Sequence, residues 1–533
     1  MNPMRTSLLL IVVAALTACP SPNPEPGDGG HGGVDARVTL LDGSTLLGDT
    51  GSATQPDAGV GASDSGSVPH GDSGLPTSGD AGQVPVAACS EVTASAPDPQ
   101  NYDALLGCLR NPAESSTDQQ QAVKVFVAAV ESHGGFPIRA GGDAVFVYVR
   151  DPAYDGEISN GRRGDPLRLA GELNGWTPAA LSSEKAGFFH LRVPFAGDGS
   201  KRWGYKFVAK DGSGQDVWFA DPFARRFLYD ANGEISLVVG EDSVGHLEWI
   251  RSVHATLLGN DRSIVLYVPR GYDSAAASAR RYPVVYMHDG NNLFDPTAIW
   301  GGWKADVVAD EEIGQGRAKE FLVVGVPNNS DRMNEYTHTA DTVDNKVYPG
   351  KGAQYADFLV HDLKPLIDAR YRTLTDKPNT AILGSSLGGL ISYYVGLQYP
   401  DLFKYVGGMS STFGWGMPPN KTVLDLYAGT ADLGSRGQVF YLDSGGSPPP
   451  GGIANCTYTL ADDSGDSDNY CVTLKMKDLL VAAGYDTFPD DPSADRLTPD
   501  GVNILHWWES GAQHNEAAWN ARLPMAFRLF FRP

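Results

Sequence analysis

The spacing of hydrophobic residues changes along the chain and predicts two kinds of domain. Between residues 89 and 140, apolar positions at helical spacing predict two short helices, Asn101–Arg110 and Asp118–Ser132. Over residues 141–244, short apolar runs separated by turn residues predict an immunoglobulin-like β-sandwich. The runs are Val145–Val149, Leu167–Ala170, Gly187–Val193, Trp203–Val208 and Ile235–Val239.

Beyond residue 245, apolar runs that read as buried strands are followed by glycine-containing turns and helical patterns. One of these runs begins at Thr380 and leads into the Gly-x-Ser-x-Gly motif, Gly384–Gly388, which is followed by a helical pattern. In a nucleophile elbow, the residues two before and two after the serine must be small, and Gly384 and Gly388 meet this requirement. We therefore predict Ser386 as a nucleophile; a plain Gly/Ser-rich turn is the alternative.

An elbow serine needs a base and an acid later in the chain. The run Val502–Trp508 predicts the last strand, and His514 follows it in a loop that opens onto a helix. His514 is thus favoured as the base over His506, which lies inside the strand. The acid is expected on the loop from Ser444 to Asn469, where Asp468 precedes a helix. Asp443, Asp462, Asp463 and Asp466 remain as alternatives, and these loop carboxylates are otherwise solvated or, less often, part of a Ca²⁺ site.

An oxyanion hole is expected from the N–H group that follows the nucleophile and from one after an earlier strand. The run Tyr282–His288 supplies such a strand, and Asp289-Gly290-Asn291 forms the turn after it. The predicted donors are the N–H of Leu387 and that of Gly290 or Asn291.

Several motifs of the C-terminal domain together resemble the putative-esterase family, which includes enterochelin, feruloyl and acetylxylan esterases, S-formylglutathione hydrolases and mycolyltransferases. The similarity covers about residues 245–533 and implies an α/β-hydrolase with Ser386 as nucleophile and His514 as base. The acid loop is longer than the family's usual turn. The motifs are Tyr286–Asp295, Asp331–Thr337, Phe358–Thr373, Gly384–Gly389, Tyr399–Phe403 and His514–Trp519.

The preceding domain resembles the glycogen-binding-type early-set domains attached to many polysaccharide-active enzymes, through Gly171–Trp176, Tyr205–Val208 and Trp218–Pro222. By that resemblance, sugar contacts are expected at Trp176, Lys206, Trp218 and Asn232. Alternatively, the two tryptophans belong to the core and the domain only shapes the catalytic cleft.

The N-terminus predicts export. Met1–Ala18 (residues 1–18) combines Arg5 with the apolar run Leu8–Leu16, as in a signal peptide. Leu16-Thr17-Ala18-Cys19 resembles a bacterial lipobox, which implies cleavage before Cys19, lipidation of its thiol, and an exported, membrane-anchored lipoprotein at the outer membrane or cell surface. An ordinary secretory signal is the alternative.

Residues 19–88 read as a disordered tether, because Pro20–Ala88 lacks aromatic residues and is rich in Gly, Ser, Pro and Asp.

With Cys19 lipidated, the other four cysteines form two locally close pairs, Cys89 with Cys108 and Cys456 with Cys471. In an exported chain this predicts two disulfides.

The 533 residues suggest about three domains. The net charge of −23 argues against nucleic acid, whose phosphates need clustered Lys and Arg.

The sequence therefore predicts a serine carboxylic-ester hydrolase that acts through an acyl-enzyme and needs no metal or organic cofactor. Acyl or feruloyl esters on polysaccharide are the favoured substrates. The alternatives are a siderophore trilactone esterase of the enterochelin type and a non-catalytic carbohydrate-binding surface lipoprotein.

Overall fold

The computed structural model describes residues 36–39, 45–48, 85–94, 99–140, 142–150, 167–211, 213–298, 301–416, 418–458, 467–487 and 503–533. The chain forms two compact units with a boundary between Glu241 and Asp242. The predicted signal peptide, Cys19 and most of the predicted tether lie outside the described residues. Within the tether, β1 (Ala36–Thr39) and β2 (Thr45–Gly48) pair antiparallel.

Two helices begin the described part of the N-terminal unit, α1 (Pro99–Arg110) and α2 (Ser116–His133). Both confirm the predicted helices, with slightly wider ends. The Ser115 side chain accepts a hydrogen bond from the Asp118 N–H and so caps α2. The predicted Cys89–Cys108 disulfide is present and ties α1 to the segment before it.

In the described residues of this unit, ten short strands follow in two antiparallel sheets. One sheet has the order β3-β4-β8-β7, and the other β11-β12-β9-β5-β6 with β10 paired to β9. Side chains of both sheets, such as Phe146 and Phe207, share one buried core, as expected when alternate residues of each strand face inward. The strands are β3 (Ile138–Ala140), β4 (Asp143–Val149), β5 (Arg168–Gly171), β6 (Ala179–Ala180), β7 (Ser182–Ser183), β8 (Phe188–Pro194), β9 (Trp203–Lys210), β10 (Asp216–Phe219), β11 (Arg226–Asp230) and β12 (Gly233–Val239).

The C-terminal unit alternates strands and helices. Its strands are β13 (His246–Ala255), β14 (Asn260–Val268), β15 (Val284–His288), β16 (Leu322–Val326), β17 (Asp341–Val343), β18 (Lys346–Tyr348), β19 (Thr380–Ser385), β20 (Tyr405–Met409), β21 (Val439–Ser444) and β22 (Ile504–Trp508). Its helices are α3 (Ala305–Gly314), α4 (Arg332–Glu335), α5 (Gly352–Asp357), α6 (Lys364–Arg370), α7 (Leu387–Gln398), α8 (Val423–Ala428), α9 (Tyr470–Ala482) and α10 (Glu516–Phe530), and a π-helical stretch, Phe358–Leu363, joins α5 to α6.

Eight of these strands form a sheet in the order β13-β14-β16-β15-β19-β20-β21-β22. Within this sheet, β14 pairs antiparallel with both of its neighbours, β13 and β16. The other neighbouring strands, in the order β16-β15-β19-β20-β21-β22, pair in parallel. The central strands are buried along their whole length, which explains their continuous apolar runs. The predicted mixed α/β fold is confirmed, and it is consistent with an α/β-hydrolase. The carboxyl ends of its parallel strands meet at one edge, where ligands bind in such sheets.

Candidate active site

Ser386 occupies the strained turn that the sequence predicts between β19 and α7. Its φ is 55° and its ψ −124°, a conformation that is uncommon for a residue with a side chain. A Cβ atom at Gly384 would lie 2.5 Å from the carbonyl carbon of Gly388, and one at Gly388 would lie 3.2 Å from the Cβ of His288. Close packing therefore requires glycine at position 384 and leaves little room for a side chain at position 388, as in a nucleophile elbow.

His514 and Asp468 form a hydrogen-bonded pair, with 2.5 Å between His514 Nδ1 and Asp468 Oδ1. The Asp468 side chain is fully buried, whereas His514 is partly exposed. Burial by itself raises the pKa of Asp468. The hydrogen bond and charge of His514, the hydrogen bond from Ser410 and the charge of Arg522 together outweigh this effect and hold the pKa below its usual range. Asp468 is thus placed to orient the imidazole and to stabilise its protonated form.

Asp443 lies at the end of β21 and has other partners. Its carboxylate contacts Arg522 Nε at 3.2 Å and accepts a hydrogen bond from the Tyr441 hydroxyl at 2.7 Å. Burial raises the pKa of Asp443 to about 6, although the charge of Arg522 opposes this. Of the two carboxylates at the ends of the acid loop, the structure pairs Asp468 with His514. Asp462, Asp463 and Asp466 lie outside the described residues, and His506 lies inside β22.

Three groups that the sequence analysis did not assign hold Asp468 in place. The Ser410 hydroxyl donates to Asp468 Oδ2 at 2.7 Å and accepts from Arg522 Nη2 at 3.0 Å and from Trp519 Nε1 at 3.2 Å. Arg522 Nη2 lies 3.8 Å from Asp468 Oδ2. Ser410 follows β20, and both Trp519 and Arg522 project from α10. Nothing in the local sequence distinguishes Arg522 from a surface arginine of a helix.

Ser386 Oγ lies 3.3 Å from the Thr412 hydroxyl. Among the described residues, the hydrogen bonds of Ser386 and His514 do not include one between these two side chains. Such contacts are often long in the absence of substrate and tighten only when substrate is bound.

The predicted oxyanion donors are available. Leu387 is the first residue of α7, so the helix leaves its N–H without a partner. Within the described part of the chain, the N–H groups of Leu387, Gly290 and Asn291 donate no hydrogen bond. A Cβ at Gly388 would lie 3.3 Å from Asp289 Oδ2, which places the 289–291 turn directly against the elbow.

The predicted sugar contacts lie in the N-terminal unit. Trp176 and Trp218 are 36% and 38% exposed, with ring centroids 6.4 Å apart, so neither is a core residue. Trp218 pairs across the sheet with Val208, and strand alternation places Lys206 on that same face of β9. Lys206 Nζ donates to the backbone oxygen of Asn232 at 2.7 Å, and burial lowers the pKa of Lys206.

The predicted Cys456–Cys471 disulfide is present and links the acid loop to the first turn of α9. In the part of the chain that the structure describes, no group of three His, Cys, Asp or Glu side chains is arranged to hold a metal ion. No helix in the described ranges is long and apolar enough to span a bilayer.

The parallel sheet, the serine elbow and the His–Asp pair at the same edge define a mixed α/β protein of the esterase class. Residues 255–529, more than half of the chain, match the model of the family described as Putative esterase. The protein belongs to this family.

Relatives with assigned activities include two bacterial esterases. The chain is 28% identical over 187 residues to an endo-1,4-beta-xylanase/feruloyl esterase of Xylanibacter ruminicola. This match covers 33% of this chain and 23% of that protein. It is 30% identical over 158 residues to the ferri-bacillibactin esterase BesA of Bacillus subtilis, covering 26% of this chain and 50% of that protein. The chain thus spans less than two thirds of the length of these curated relatives. A solved structure of a ferulic acid esterase is 17% identical and covers 54% of this chain and 98% of its own, with a TM-score of 0.38.

Proposed function

We propose that this protein hydrolyses carboxylic esters through an acyl-enzyme formed on Ser386. The observation that carries the proposal is Ser386 with its positive φ between β19 and α7, at the sheet edge that also carries the hydrogen-bonded His514–Asp468 pair. Membership of the esterase family supports it. No metal or organic cofactor is needed for this chemistry.

In the proposed reaction, Ser386 Oγ leaves Thr412, approaches His514 Nε2 and attacks the ester carbonyl while His514 takes its proton. The N–H groups of Leu387 and of Gly290 or Asn291 stabilise the oxyanion that forms. Collapse of the tetrahedral intermediate breaks the bond to the alcohol, which leaves with the proton from His514. Water then attacks the acyl-enzyme and gives a proton to His514. The bond between the acyl carbon and Ser386 Oγ breaks, the carboxylic acid product leaves, and His514 returns the proton to Ser386.

The favoured substrates are acyl or feruloyl esters on polysaccharide. The exposed tryptophan pair of the N-terminal unit supports this choice, as does similarity to a protein named as a xylanase and feruloyl esterase. Similarity to a protein named as a ferri-bacillibactin esterase supports a siderophore trilactone as the second candidate.

A substrate panel tests these alternatives. The purified full chain is assayed with p-nitrophenyl acetate, methyl ferulate, acetylated xylan and ferric enterobactin, and hydrolysis is followed by product release. Preference for methyl ferulate or acetylated xylan is expected. Preference for ferric enterobactin would establish the siderophore alternative. A folded chain that hydrolyses none of these esters would support the non-catalytic carbohydrate-binding alternative.

We propose further that the N-terminal unit is an immunoglobulin-like early-set domain whose exposed face binds polysaccharide. Trp176 and Trp218 would stack on sugar rings, and Lys206 and Asn232 would contact hydroxyl groups. The two sheets with a common core and the shared face of Lys206 and Trp218 support this assignment.

Replacing Trp176 with alanine is expected to weaken polysaccharide binding by roughly 30-fold or more, since a stacked aromatic anchor contributes about 2 kcal/mol or more. Binding to xylan and glucan is measured by sedimentation with the full chain carrying Ser386→Ala, so that no ester is consumed. Trp508→Ala is the matched control, because Trp508 is also 38% exposed but lies in the C-terminal unit. Equal binding by all three proteins, or none by the parent, would contradict a sugar-binding face.

We also propose that the protein is an exported bacterial lipoprotein, held at the outer membrane or cell surface through Cys19. The lipobox-like Leu16–Cys19 and the aromatic-free segment after it support this assignment. Each buried methylene of an acyl chain contributes about 0.8 kcal/mol to membrane attachment.

Cys19→Ser is expected to move the protein from the membrane to the soluble fraction of the bacterial host. Immunoblots of the two fractions and the mass of the N-terminal peptide check this. An unchanged distribution, or a wild-type peptide cleaved before Cys19 without added lipid, would show an ordinary secretory signal.

A further inference from the structure

The turn that carries the candidate oxyanion donors Gly290 and Asn291 is held by an ion pair that has no role in the proposed reaction. Asp289, directly before Gly290, has a φ of 59° and a ψ of 43°. A positive φ is uncommon for a residue other than glycine and persists only where the surroundings impose it. Both oxygens of Asp289 contact Arg332, with Nε at 2.7 Å from Oδ1 and Nη2 at 2.8 Å from Oδ2.

The segment that contains Arg332 contacts the turn at further points. Asn328 Nδ2 donates to Asp289 Oδ1 at 2.5 Å, and the Asn328 N–H donates to Asn291 Oδ1 at 3.3 Å. The Tyr336 hydroxyl accepts a hydrogen bond from the Asp289 N–H at 3.0 Å. The turn is therefore held from one segment on both sides of Gly290, so the Gly290 and Asn291 N–H groups have little freedom to reorient.

Arg332 also neutralises a carboxylate that faces the elbow. Asp289 is 7% exposed, and one of its oxygens lies against Gly388 in the first turn of α7. Burial raises the pKa of Asp289, but the charge and hydrogen bonds of Arg332 outweigh this and hold it below its usual range, so the carboxylate is ionised. An uncompensated negative charge here would oppose the oxyanion that develops beside Leu387.

We propose that Arg332 is the positioning residue of the oxyanion hole: its two-pronged ion pair with Asp289 fixes the 289–291 turn and cancels the charge beside the oxyanion. This inference rests on the ester hydrolase function proposed above. Arg332 acts through Asp289 and does not itself touch the reacting atoms. A purely structural ion pair would affect stability without a specific effect on the transition state.

Arg332→Gln in the full chain tests this inference. We expect kcat for p-nitrophenyl acetate to fall by about 10²- to 10³-fold, as on loss of an oxyanion donor, with KM changed less than about threefold. The inhibition constant of a trifluoromethyl ketone, whose adduct with Ser386 places an oxyanion in the hole, should rise by a similar factor. Arg332→Lys, which keeps the charge but lacks the two-pronged geometry, should give an intermediate loss.

Arg317→Gln is the matched control. Arg317 makes the same kind of two-pronged pair with the buried Glu312, with Nε at 2.9 Å from Oε2 and Nη2 at 2.6 Å from Oε1. The Arg317→Gln substitution should lower only the melting temperature. If Arg332→Gln does not fold, Asn328→Ala replaces it, because it removes one bond to Asp289 and leaves Arg332 in place. We then expect kcat to fall by about tenfold and the inhibition constant of the trifluoromethyl ketone to rise by a similar factor.

A folded Arg332→Gln variant with normal kcat overturns the inference, and so does one that raises KM alone, since Arg332 would then bind substrate. A wild-type chain without Ser386-dependent turnover overturns the ester hydrolase function itself, and this inference with it. The two failures are therefore distinguishable.

Discussion

Ser386→Ala is expected to lower kcat for p-nitrophenyl acetate by about 10⁴- to 10⁶-fold, as removal of the nucleophile does in other serine hydrolases. The fold should remain intact, because the Oγ atom makes one long contact, 3.3 Å to Thr412, and alanine tolerates the elbow conformation no worse than serine. Kinetics and thermal melting followed by circular dichroism measure the two effects.

Thr412→Val is the control for this variant. It removes the hydroxyl that contacts Ser386 in the free enzyme and should change kcat less than about tenfold, because Thr412 is not a proton acceptor in the reaction. Near-normal turnover by Ser386→Ala would show that Ser386 is not the nucleophile.

Asp468→Asn is expected to lower kcat by about 10⁴-fold, because an amide cannot stabilise the imidazolium and favours the wrong tautomer of His514. Asp443→Asn is the matched comparison. Both carboxylates are fully buried and contact Arg522, but only Asp468 is hydrogen-bonded to His514. Asp443→Asn should therefore change kcat less than about tenfold, even if the free energy of unfolding decreases.

Asp463→Asn and Asp466→Asn should leave turnover nearly unchanged, since one carboxylate suffices to hold the His514 ring. These assays use the same ester and are normalised to the folded fraction of each variant. An active Asp468→Asn variant together with an inactive Asp443→Asn variant would move the acid to Asp443 and leave the nucleophile and base unchanged.

Local sequence was sufficient for the features that depend on near neighbours. The apolar run, Gly384 and Gly388 predict the elbow because strand, turn and helix are adjacent in the chain. The two disulfides join cysteines only 19 and 15 residues apart, so few pairings compete. By contrast, β10 and β11 were not predicted, because their exposed and half-buried residues interrupt the apolar alternation of a strand.

The arrangement of the site depends on contacts between distant parts of the chain. Local sequence favoured Asp468 among five carboxylates, but its pairing with His514, 46 residues later, follows from the path of the acid loop and the packing of α10. Arg522 and Ser410 are 112 residues apart and meet only through the sheet and that helix. The pairing of Asp289 with Arg332 likewise joins the segments that follow two neighbouring parallel strands, β15 and β16. The sequence by itself determined which chemical groups this protein carries and which turns expose them, because both follow from local backbone preference. Only the tertiary structure decided which carboxylate is hydrogen-bonded to the histidine and which arginine offsets the charge of each buried carboxylate, because burial and charge pairing depend on the whole packed domain.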